Sequence, residues 1–424
     1  MVAPDSFFST DDTRLLQECI HCGFCLPVCP TYMVAGKEAD SPRGRLLLMR
    51  YLDQDAGTVM NDAYHHIDLC LGCLACQTVC PSGVRYGHLL EQTRGYQRNE
   101  VEPLSRFQRK ALDWITGHTS LKIFSLLLRV MQRIGLDKLV RILRLLPGRL
   151  RFQLAGVPKI PAGRFDSEAG RLASRSPDNS QHGAVALFTG CIMDHWYSEV
   201  HDAAARILRW NGFDVLVPPE QGCCGALHAH AGALEKAETL LAYNREVFRG
   251  VEARALIVDA AGCSAQLRTG LWPENGGLPA KDVCEWLIDH LQHPPRFKLT
   301  SKTTYDAPCH LFHAQGIQEE PYRLLEYACE QLHPLPEADT CCGSAGIYSL
   351  VHSEMSQEIL ARKLQHVRTL EPEILATANP GCQMQLQGGV IEAGMNIKVR
   401  HVAQLLDEAY RLDPDYRQAF DLEE

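Results

Sequence analysis

Two short cysteine runs constrain this 424-residue chain more than any other feature of its sequence. Residues 19–30 and residues 70–81 both read C-x2-C-x2-C-x3-C-P. Two intervening residues let the backbone curl around a compact metal centre, so that successive thiolates reach different metal ions. The proline after each fourth cysteine turns the chain away and removes one backbone N–H. Together the runs supply eight thiolates, from Cys19, Cys22, Cys25, Cys29, Cys70, Cys73, Cys76 and Cys80.

This spacing is typical of bacterial two-cluster ferredoxins, in which three cysteines of one run and the fourth cysteine of the other hold each [4Fe–4S] cluster. A pair of zinc sites is the alternative, but four-cysteine zinc sites usually pair two C-x2-C arms without a third cysteine. We therefore predict two [4Fe–4S] clusters. The first would be held by Cys19, Cys22, Cys25 and Cys80, and the second by Cys70, Cys73, Cys76 and Cys29.

The segment between the two runs predicts a helix rather than the β-hairpins of small ferredoxins. Pro42 stands near the start of an apolar helical pattern that includes Leu46, Met49 and Leu52. Residues 1–103 thus resemble the α-helical ferredoxin domains of respiratory dehydrogenase subunits. Two arginines of this helix could line the clusters or could be solvated helix charges, namely Arg43 and Arg45.

Residues 104–155 predict basic amphipathic helices. From residue 104 to residue 151 there are eleven Lys or Arg and two Asp, although the whole chain carries a net charge of −9. Helices of this kind can lie in the headgroup plane of an anionic membrane, or their apolar stripe can pack on this protein or on a partner subunit. Apolar residues recur at helical spacing at Leu121, Phe124, Leu127, Leu128, Met131 and Ile134, and again at Leu139, Ile142, Leu143 and Leu146.

The remainder of the chain is an internal repeat that follows a predicted linker. Residues 156–183 are rich in Pro, Gly and Ser, as linkers are. Cysteine patterns then recur at offsets of 118, 118 and 119 residues, which predicts a first module at 184–296 and a second at 297–424. The first pattern comprises Cys191, Cys223, Cys224 and Cys263, and the second comprises Cys309, Cys341, Cys342 and Cys382.

Each module alternates short apolar strands with helices, which predicts an α/β fold with parallel strands and helical crossovers. In the first module the predicted strands are residues 185–188, 213–217 and 255–258, with a helix at about 234–248. The cysteines follow the carboxyl ends of these strands, where α/β sheets bind ligands. The chain is therefore predicted to be multidomain: a helical two-cluster ferredoxin domain followed by two duplicated α/β modules.

The repeated C…CCG…C pattern resembles the cysteine-rich CCG domain family. Its members include heterodisulfide reductase subunits, an iron–sulfur subunit of anaerobic glycerol-3-phosphate dehydrogenase and lactate-utilisation proteins. The domain order, and the segments 221–228, 305–311 and 336–346, resemble most closely the iron–sulfur subunits of bacterial glycolate oxidase (glycolate dehydrogenase). This resemblance covers nearly the whole chain.

The sequence departs from the fullest CCG pattern at one position in each module. Family members with a five-thiolate non-cubane cluster end each motif with C-x2-C, but here Ala260 and Asn379 replace the first cysteine of that pair. Four cysteines remain in each module, and they suit a further iron–sulfur cluster or a tetrahedral zinc ion. Heterodisulfide cleavage, which the resemblance associates with the five-thiolate cluster, is correspondingly less favoured.

The resemblance implies an electron-transfer subunit that passes electrons from separate flavin-containing dehydrogenase subunits to an acceptor, quinone being the one expected. The alternatives are a subunit of a lactate or glycerol-3-phosphate dehydrogenase, or a heterodisulfide reductase-like thiol/disulfide enzyme. No catalytic residue and no nucleic-acid partner is predicted for this chain. The chain has eighteen cysteines, most of them clustered, and neither a secretory signal nor an apolar run of membrane-spanning length. These features predict a cytoplasmic protein, with peripheral contact to the inner face of the cell membrane as an option.

Smaller features have competing interpretations. His228, His230, His310, His313 and the pair Asp194–His195 could donate to cluster sulfurs or carry protons for a quinone, or could be solvated residues at helix ends. Two cysteines fall outside the repeat and are predicted to be buried packing residues, namely Cys284 and Cys329.

Overall fold

The computed structural model describes residues 7–54, 61–143, 145–165, 170–272 and 277–423. Its N-terminal part is helical, which confirms the prediction of helices between the cysteine runs. Leu46, Met49 and Leu52 are all buried, because they recur on one face of the third helix. The helices are α1 Thr10–Gln17, α2 Pro30–Ala35, α3 Pro42–Gln54, α4 Asn61–Asp68, α5 Ala75–Thr78 and α6 Tyr86–Tyr96.

The basic segment folds into four helices, more than the two apolar stripes indicated. Only part of the predicted stripe on the second of them faces the protein: Leu121 and Leu128 are buried, whereas Leu127 is 62% exposed and Ile134 is 69% exposed. The side chain of Ile142 lies outside the described residues. The four helices are α7 Arg106–Thr116, α8 His118–Arg133, α9 Leu136–Ile142 and α10 Gly148–Gly156.

The first module is a five-stranded sheet in the order β1-β3-β2-β4-β5, with helical crossovers. Strands β2 to β5 pair in parallel as predicted, and β1 adds an antiparallel edge to β3. Its elements are β1 Arg171–Leu172, β2 Ala184–Phe188, α11 Ile192–Trp196, α12 Ser198–Trp210, β3 Asp214–Leu216, α13 Ala226–His230, α14 Leu234–Phe248, β4 Leu256–Val258, α15 Ala261–Gly270, β5 Ala280–Asp282 and α16 Val283–His290.

The second module repeats this topology as a four-stranded parallel sheet in the order β7-β6-β8-β9. Strand β6 stands in the place of β2, and β8 in the place of β4. Its elements are β6 Thr303–Tyr305, α17 Cys309–Phe312, α18 Glu320–Ala328, β7 Leu332–His333, α19 Tyr348–Val351, α20 Ser353–Leu370, β8 Ile374–Thr377, α21 Pro380–Glu392, β9 Lys398–His401, α22 Val402–Tyr410 and α23 Pro414–Ala419.

Part of the segment predicted as a linker, residues 156–183, packs on the first module. Arg171 and Leu172 pair with Leu216 and Val215 of β3. Phe165 is buried in the core of the modules. A Pro- and Gly-rich composition indicates irregular backbone, but it does not exclude a short edge strand. The predicted domain boundaries themselves stay predictions.

The two modules share one hydrophobic core. Val185 and Ile207 of the first module belong to the same buried cluster as Tyr305, Leu324 and Leu405 of the second. Helix α12 packs on α22, and α16 packs on α18. Burial of this apolar surface holds the two modules together. The ends of β2 and β6, and the cysteines that follow them, therefore lie in a fixed arrangement.

Among the described residues, no helix combines the length and the apolar composition that crossing a bilayer requires.

Candidate metal centres

The two cysteine runs follow the same backbone path. In each, the residues two and four positions after the first cysteine adopt a left-handed conformation: His21 and Gly23 in the first run, Gly72 and Leu74 in the second. These reversals turn successive cysteines of a run toward one centre. Left-handed backbone costs least at glycine, and each run places its glycine at a different one of the two positions.

The first predicted ligand set lines one pocket, which we call the first ferredoxin pocket. Arg43 also lines it and donates a 3.1 Å hydrogen bond to the carbonyl of His21. Arg43 is itself paired with Glu38 at 2.6 Å. The pocket brings together Cys19, Cys22, Cys25 and Cys80, and Cys76 of the second set reaches its wall.

The second predicted set lines an adjoining pocket, the second ferredoxin pocket. Arg45 forms one wall of it and is only 1% exposed. Its guanidinium donates to Thr31 Oγ1 at 3.0 Å and lies 4.0 Å from Cys29 Sγ. Arg45 is therefore a buried cation beside the sulfurs rather than a solvated helix charge. The cysteines of this pocket are Cys29, Cys70, Cys73 and Cys76.

The electrostatics of the second ferredoxin pocket favour a thiolate at one position. Burial opposes ionisation of Cys70, but Arg45, Arg94 and a 3.5 Å hydrogen bond from Tyr86 lower its pKa below the ordinary value. Burial raises the pKa of Cys73 and Cys76 well above the ordinary value. Loss of those protons therefore needs a metal to compensate the charge. Four thiols with no carboxylate among the described lining residues form a soft donor set that fits an iron–sulfur cluster.

The first CCG site is built from three loops beyond the sheet of the first module. Cys191 follows β2, Cys223 and Cys224 precede α13, and Cys263 lies in α15. Cys224 Sγ lies 3.2 Å from Cys263 Sγ, and the Gly225 N–H donates to Cys223 Sγ at 3.4 Å. Neighbouring thiols that donate to it lower the pKa of Cys223 well below the ordinary value. The structure thus brings together all four cysteines predicted for this module.

The second CCG site repeats the geometry. Gly343 takes the same left-handed conformation as Gly225, with φ of 86° and 87°. Its N–H donates to Cys341 Sγ at 3.4 Å. Here a buried cation lies beside the thiols: Lys363 is 3% exposed and is paired with Asp306. Hydrogen bonds from Cys341 and Cys382 are the main cause of the lowered pKa of Cys342, and the charge of Lys363 lowers it further. The site comprises Cys309, Cys341, Cys342 and Cys382.

Asn379 has a role that the sequence did not reveal. It occupies the place of an absent CCG cysteine, and its Nδ2 donates to Cys382 Sγ at 3.6 Å. Its Oδ1 accepts from the Gly262 N–H of the first module at 3.1 Å. Asn379 therefore contacts a predicted ligand and joins the two modules at their cysteine ends. The sequence pattern shows that Asn379 replaces a cysteine of the C-x2-C pair. It does not show the contact with Gly262, which is far away in sequence.

The four cysteine sets are neighbours in space. Cys73 of the second ferredoxin pocket shares a buried cluster with Cys341 and Tyr348 of the second CCG site. Burial is the main cause of the raised pKa of Cys73, and the charge of Cys309 is the second. The ring centroid of His230, which follows the first CCG motif in α13, lies 4.8 Å from the ring centroid of His310, the neighbour of Cys309. The described residues thus place the sets side by side, with the second ferredoxin pocket beside the second CCG site.

The predicted histidines are not simple solvated residues. His310 Nδ1 lies 3.4 Å from Cys309 Sγ. Burial alone would lower the pKa of His310, but the neighbouring Cys309 raises it above the ordinary value. His228 is 2% exposed beside the first CCG site. His313 contacts the carbonyl of Asp339 at 3.0 Å and Thr78 of the ferredoxin part at 3.1 Å. Cys284 and Cys329 are buried, as predicted.

Comparison with known families agrees with this architecture. Residues 15–84 match the model of a 4Fe-4S dicluster domain, and residues 185–268 and 303–387 match the model of a cysteine-rich domain named CCG. These matches coincide with the two cysteine runs and with the two modules.

Two relatives match along nearly their whole length, and a third matches about half of this chain. The chain is 37% identical to the probable glycolate oxidase iron-sulfur subunit of Bacillus subtilis (strain 168), over 94% of this chain and 95% of the relative. It is 32% identical to the glycolate oxidase iron-sulfur subunit of Escherichia coli (strain K12), over 93% and 94%. It is 29% identical to lactate utilization protein A of Geobacillus kaustophilus (strain HTA426), over 53% and 98%. With its dicluster domain, its two CCG modules and its whole-length similarity to the first two relatives, the chain belongs to the family of glycolate oxidase iron–sulfur subunits.

Proposed function

We propose that this chain is the electron-transfer subunit of a glycolate (2-hydroxy acid) dehydrogenase complex, which passes electrons from flavin-containing subunits to an acceptor, quinone. The observation that supports the proposal is the spatial series formed by the two ferredoxin pockets and the second CCG site. Cys76 reaches the first ferredoxin pocket from the second, and Cys73 shares a buried cluster with Cys341. Metal clusters held in such a series would conduct single electrons. Oxidation of the 2-hydroxy acid would belong to the partner flavin subunits.

We propose four ligand sets, each supported by the proximity of its cysteines. Cys19, Cys22, Cys25 and Cys80 would hold one [4Fe–4S] cluster, and Cys29, Cys70, Cys73 and Cys76 the other. Each CCG site would hold a further iron–sulfur cluster, with zinc as the alternative. Iron analysis of anaerobically purified protein separates these two: about sixteen irons per chain are expected if both CCG sites carry four-iron clusters, and about eight if they do not.

The conduit role is tested with a Cys22→Ser variant of the assembled complex. Cys22 is exposed at the edge of the first ferredoxin pocket, so its substitution leaves the core intact. We expect the complex to assemble and glycolate-dependent quinone reduction to fall by at least about tenfold, because a cluster would lose a ligand. The matched control is Cys329→Ala, a buried cysteine outside the four sets. Unchanged turnover in the Cys22→Ser complex would refute the conduit role.

A second candidate is the same role in a complex that oxidises lactate or glycerol 3-phosphate. The similarity to lactate utilization protein A supports the lactate arm of this candidate. The substrate pocket would lie on partner subunits, so the natively purified complex must be assayed with glycolate, D-lactate and glycerol 3-phosphate. Preference for glycolate is expected, and preference for another substrate would replace the first candidate.

The proposal also includes peripheral contact of the basic segment with an anionic membrane surface. Helix α8 exposes a band of apolar side chains at Ile123, Leu126, Leu127 and Val130, and Ile134 extends it. Lys and Arg residues of the same segment flank this band. An exposed apolar band with basic flanks suits the interface of a bilayer with acidic headgroups, and it would bring the chain near a membrane quinone.

A further inference from the structure

Two histidines and an aspartate outside the four cysteine sets converge beside the first CCG site. His118 is the first residue of α8, and Asp194 and His195 lie in α11, directly after Cys191. One ligand atom from each of the three side chains lies within 4.8 Å of the other two. Helix α11 is fixed against α8 by a 2.9 Å hydrogen bond from Trp196 Nε1 to Ser125 Oγ. The cluster is therefore a feature of the packed fold rather than of one flexible loop.

Two atoms of the cluster are buried without a partner among the described residues. Asp194 is 1% exposed and its Oδ1 accepts no hydrogen bond. His195 is 4% exposed and its Nε2 has no hydrogen-bonding partner. A buried polar group that is left without a hydrogen bond destabilises the folded state. Two of them within one cluster indicate a missing species that binds both a carboxylate oxygen and an imidazole nitrogen.

The remaining atoms of the cluster are oriented by their own partners. His118 Nε2 lies 2.5 Å from the carbonyl of Gln221, which fixes the proton on that nitrogen and leaves Nδ1 free to bind. Arg164 Nε donates to Asp194 Oδ2 at 2.6 Å, which leaves Oδ1 as the oxygen without a partner. Outer partners of this kind, a backbone carbonyl on a histidine and a donor on a carboxylate, are what metal ligands usually have.

We propose that His118, Asp194 and His195 form a mononuclear site for a divalent transition-metal ion of the zinc type. Two imidazoles and one carboxylate suit such an ion and do not suit magnesium or calcium, which prefer oxygen ligands. The ion would clamp α8 of the basic segment to the loop that carries Cys191.

A positively charged side chain near the proposed site opposes the binding of a cation, which provides a further test. Lys122 lies one turn after His118 on α8 and is exposed, so its positive charge is on the same side of the helix as His118. A cation bound there would be repelled. Removing this charge is therefore expected to strengthen metal binding, whereas a purely packing role for the three residues predicts no such effect.

The experiment uses the full-length protein with its iron retained, titrated anaerobically with zinc against a chromophoric chelator. We expect one zinc per chain whose X-ray absorption spectrum shows nitrogen and oxygen neighbours with imidazole scattering. His118→Ala and His195→Ala should each weaken binding by at least about tenfold, and Lys122→Gln should tighten it several-fold. The matched control is His182→Ala, in the same module and outside the cluster.

Two outcomes would overturn the proposal. Zinc with sulfur neighbours only would place it in a CCG site, and equal zinc affinity in wild type, His118→Ala and His195→Ala would exclude the cluster as its ligand set. Iron content and circular dichroism show whether each variant is folded. If His195→Ala, whose side chain is buried, fails to fold, the half-buried His118 and the exposed Lys122 decide the question with opposite expected changes.

Discussion

Arg45 is the residue that most shapes the environment of the second ferredoxin pocket. It is buried at 1% exposure, and it contacts Thr31, the carbonyl of His66 and Cys29. Burial alone would lower its pKa, but the nearby Cys70, Tyr86, Cys29 and Asp40 raise it, so the guanidinium stays charged. A fixed positive charge beside cluster thiolates stabilises the more negative, reduced state.

We therefore predict that Arg45→Met lowers the midpoint potential of the cluster proposed for Cys29, Cys70, Cys73 and Cys76. Redox titration followed by electron paramagnetic resonance measures it. Arg45→Lys keeps the charge and should lie between wild type and Arg45→Met. Arg43→Met, beside the first ferredoxin pocket, should leave this potential unchanged. Equal potentials in wild type and Arg45→Met would contradict the assigned role.

Asp282 gives the protein a pH dependence that is independent of its metals. It caps α16 by accepting from the Cys284 N–H at 2.9 Å, and it also accepts from Ser264 at 3.0 Å. Burial raises its pKa from 3.8 to about 7. The folded protein thus binds this proton more tightly than the unfolded chain. The stabilising effect is complete below pH 3.8, and it is lost as the pH rises through about 7.

Asp282→Asn should therefore be more stable than wild type at pH 8, by an amount on the order of 4 kcal/mol. The advantage should disappear near pH 4, where the carboxyl is protonated. The amide does not ionise: its oxygen can still accept from the Cys284 N–H, and its NH2 group would donate to Ser264 Oγ instead of accepting from it. Urea unfolding of the anaerobic protein between pH 4 and pH 8 measures the difference. Asp289→Asn, exposed on the same helix, is the control and should show no pH-dependent gain. A pH-independent difference for Asp282→Asn would show that the carboxyl does not titrate as described.

Among the elements, α10 shows how the basic segment is joined to the second module. It packs along α21 at close range: a Cβ added at Gly156 would lie 2.4 Å from the carbonyl oxygen of Met384. Arg151 of α10 pairs with Glu392 at the end of α21. Residues 104–155 were predicted to be a unit of their own. In the structure they pack closely on the second module.

Gly156→Ala should push α10 away from α21 and cost about 1–3 kcal/mol of stability, since the obstructing atom is backbone and cannot rotate aside. Gly148→Ala, at the first turn of the same helix, is the matched control, because nothing lies within 4 Å of its added Cβ. That control should be neutral or slightly stabilising. Thermal unfolding and limited proteolysis around residue 148 measure both variants. Equal destabilisation by the two substitutions would contradict the close packing.

At the scale of the whole molecule, charge is unevenly distributed. A basic, apolar surface on α8 and α9 belongs to a chain with a net charge of −9. The proposed membrane contact predicts flotation of the full-length protein with vesicles of phosphatidylcholine and phosphatidylglycerol, and weaker flotation with phosphatidylcholine alone. Arg133→Glu with Lys138→Glu should weaken binding by at least about tenfold, because each basic residue near the surface contributes about 1 kcal/mol.

The control for flotation changes the charge equally at another surface. Lys298→Glu with Arg323→Glu alters two exposed residues of the second module and should float like wild type. If both double variants float equally, α8 and α9 do not face the membrane. The exposed apolar band would then be assigned to a partner subunit of the complex.

Spacing in the sequence determined the metal chemistry and the fold class of this protein. The local sequence sets the geometry of cysteines that are separated by two or three other residues. The same holds for apolar patterns within single strands and helices. The two runs, the duplicated modules, and strands such as β2 and β4 were therefore predictable. So was the convergence of Cys191, Cys223, Cys224 and Cys263, because parallel strands carry their following loops to one edge of the sheet.

Only the tertiary structure decided the contacts between residues far apart in sequence. It placed Arg45 beside Cys29 and Cys70, and it made Asn379 the link between a sulfur and the other module. It drew Arg171 and Leu172 from the predicted linker into a sheet, and it brought His118 to Asp194 and His195. No local pattern encodes these contacts. They follow from burial of several apolar clusters, in the ferredoxin part as well as in the modules, which fixes each element against partners far away along the chain.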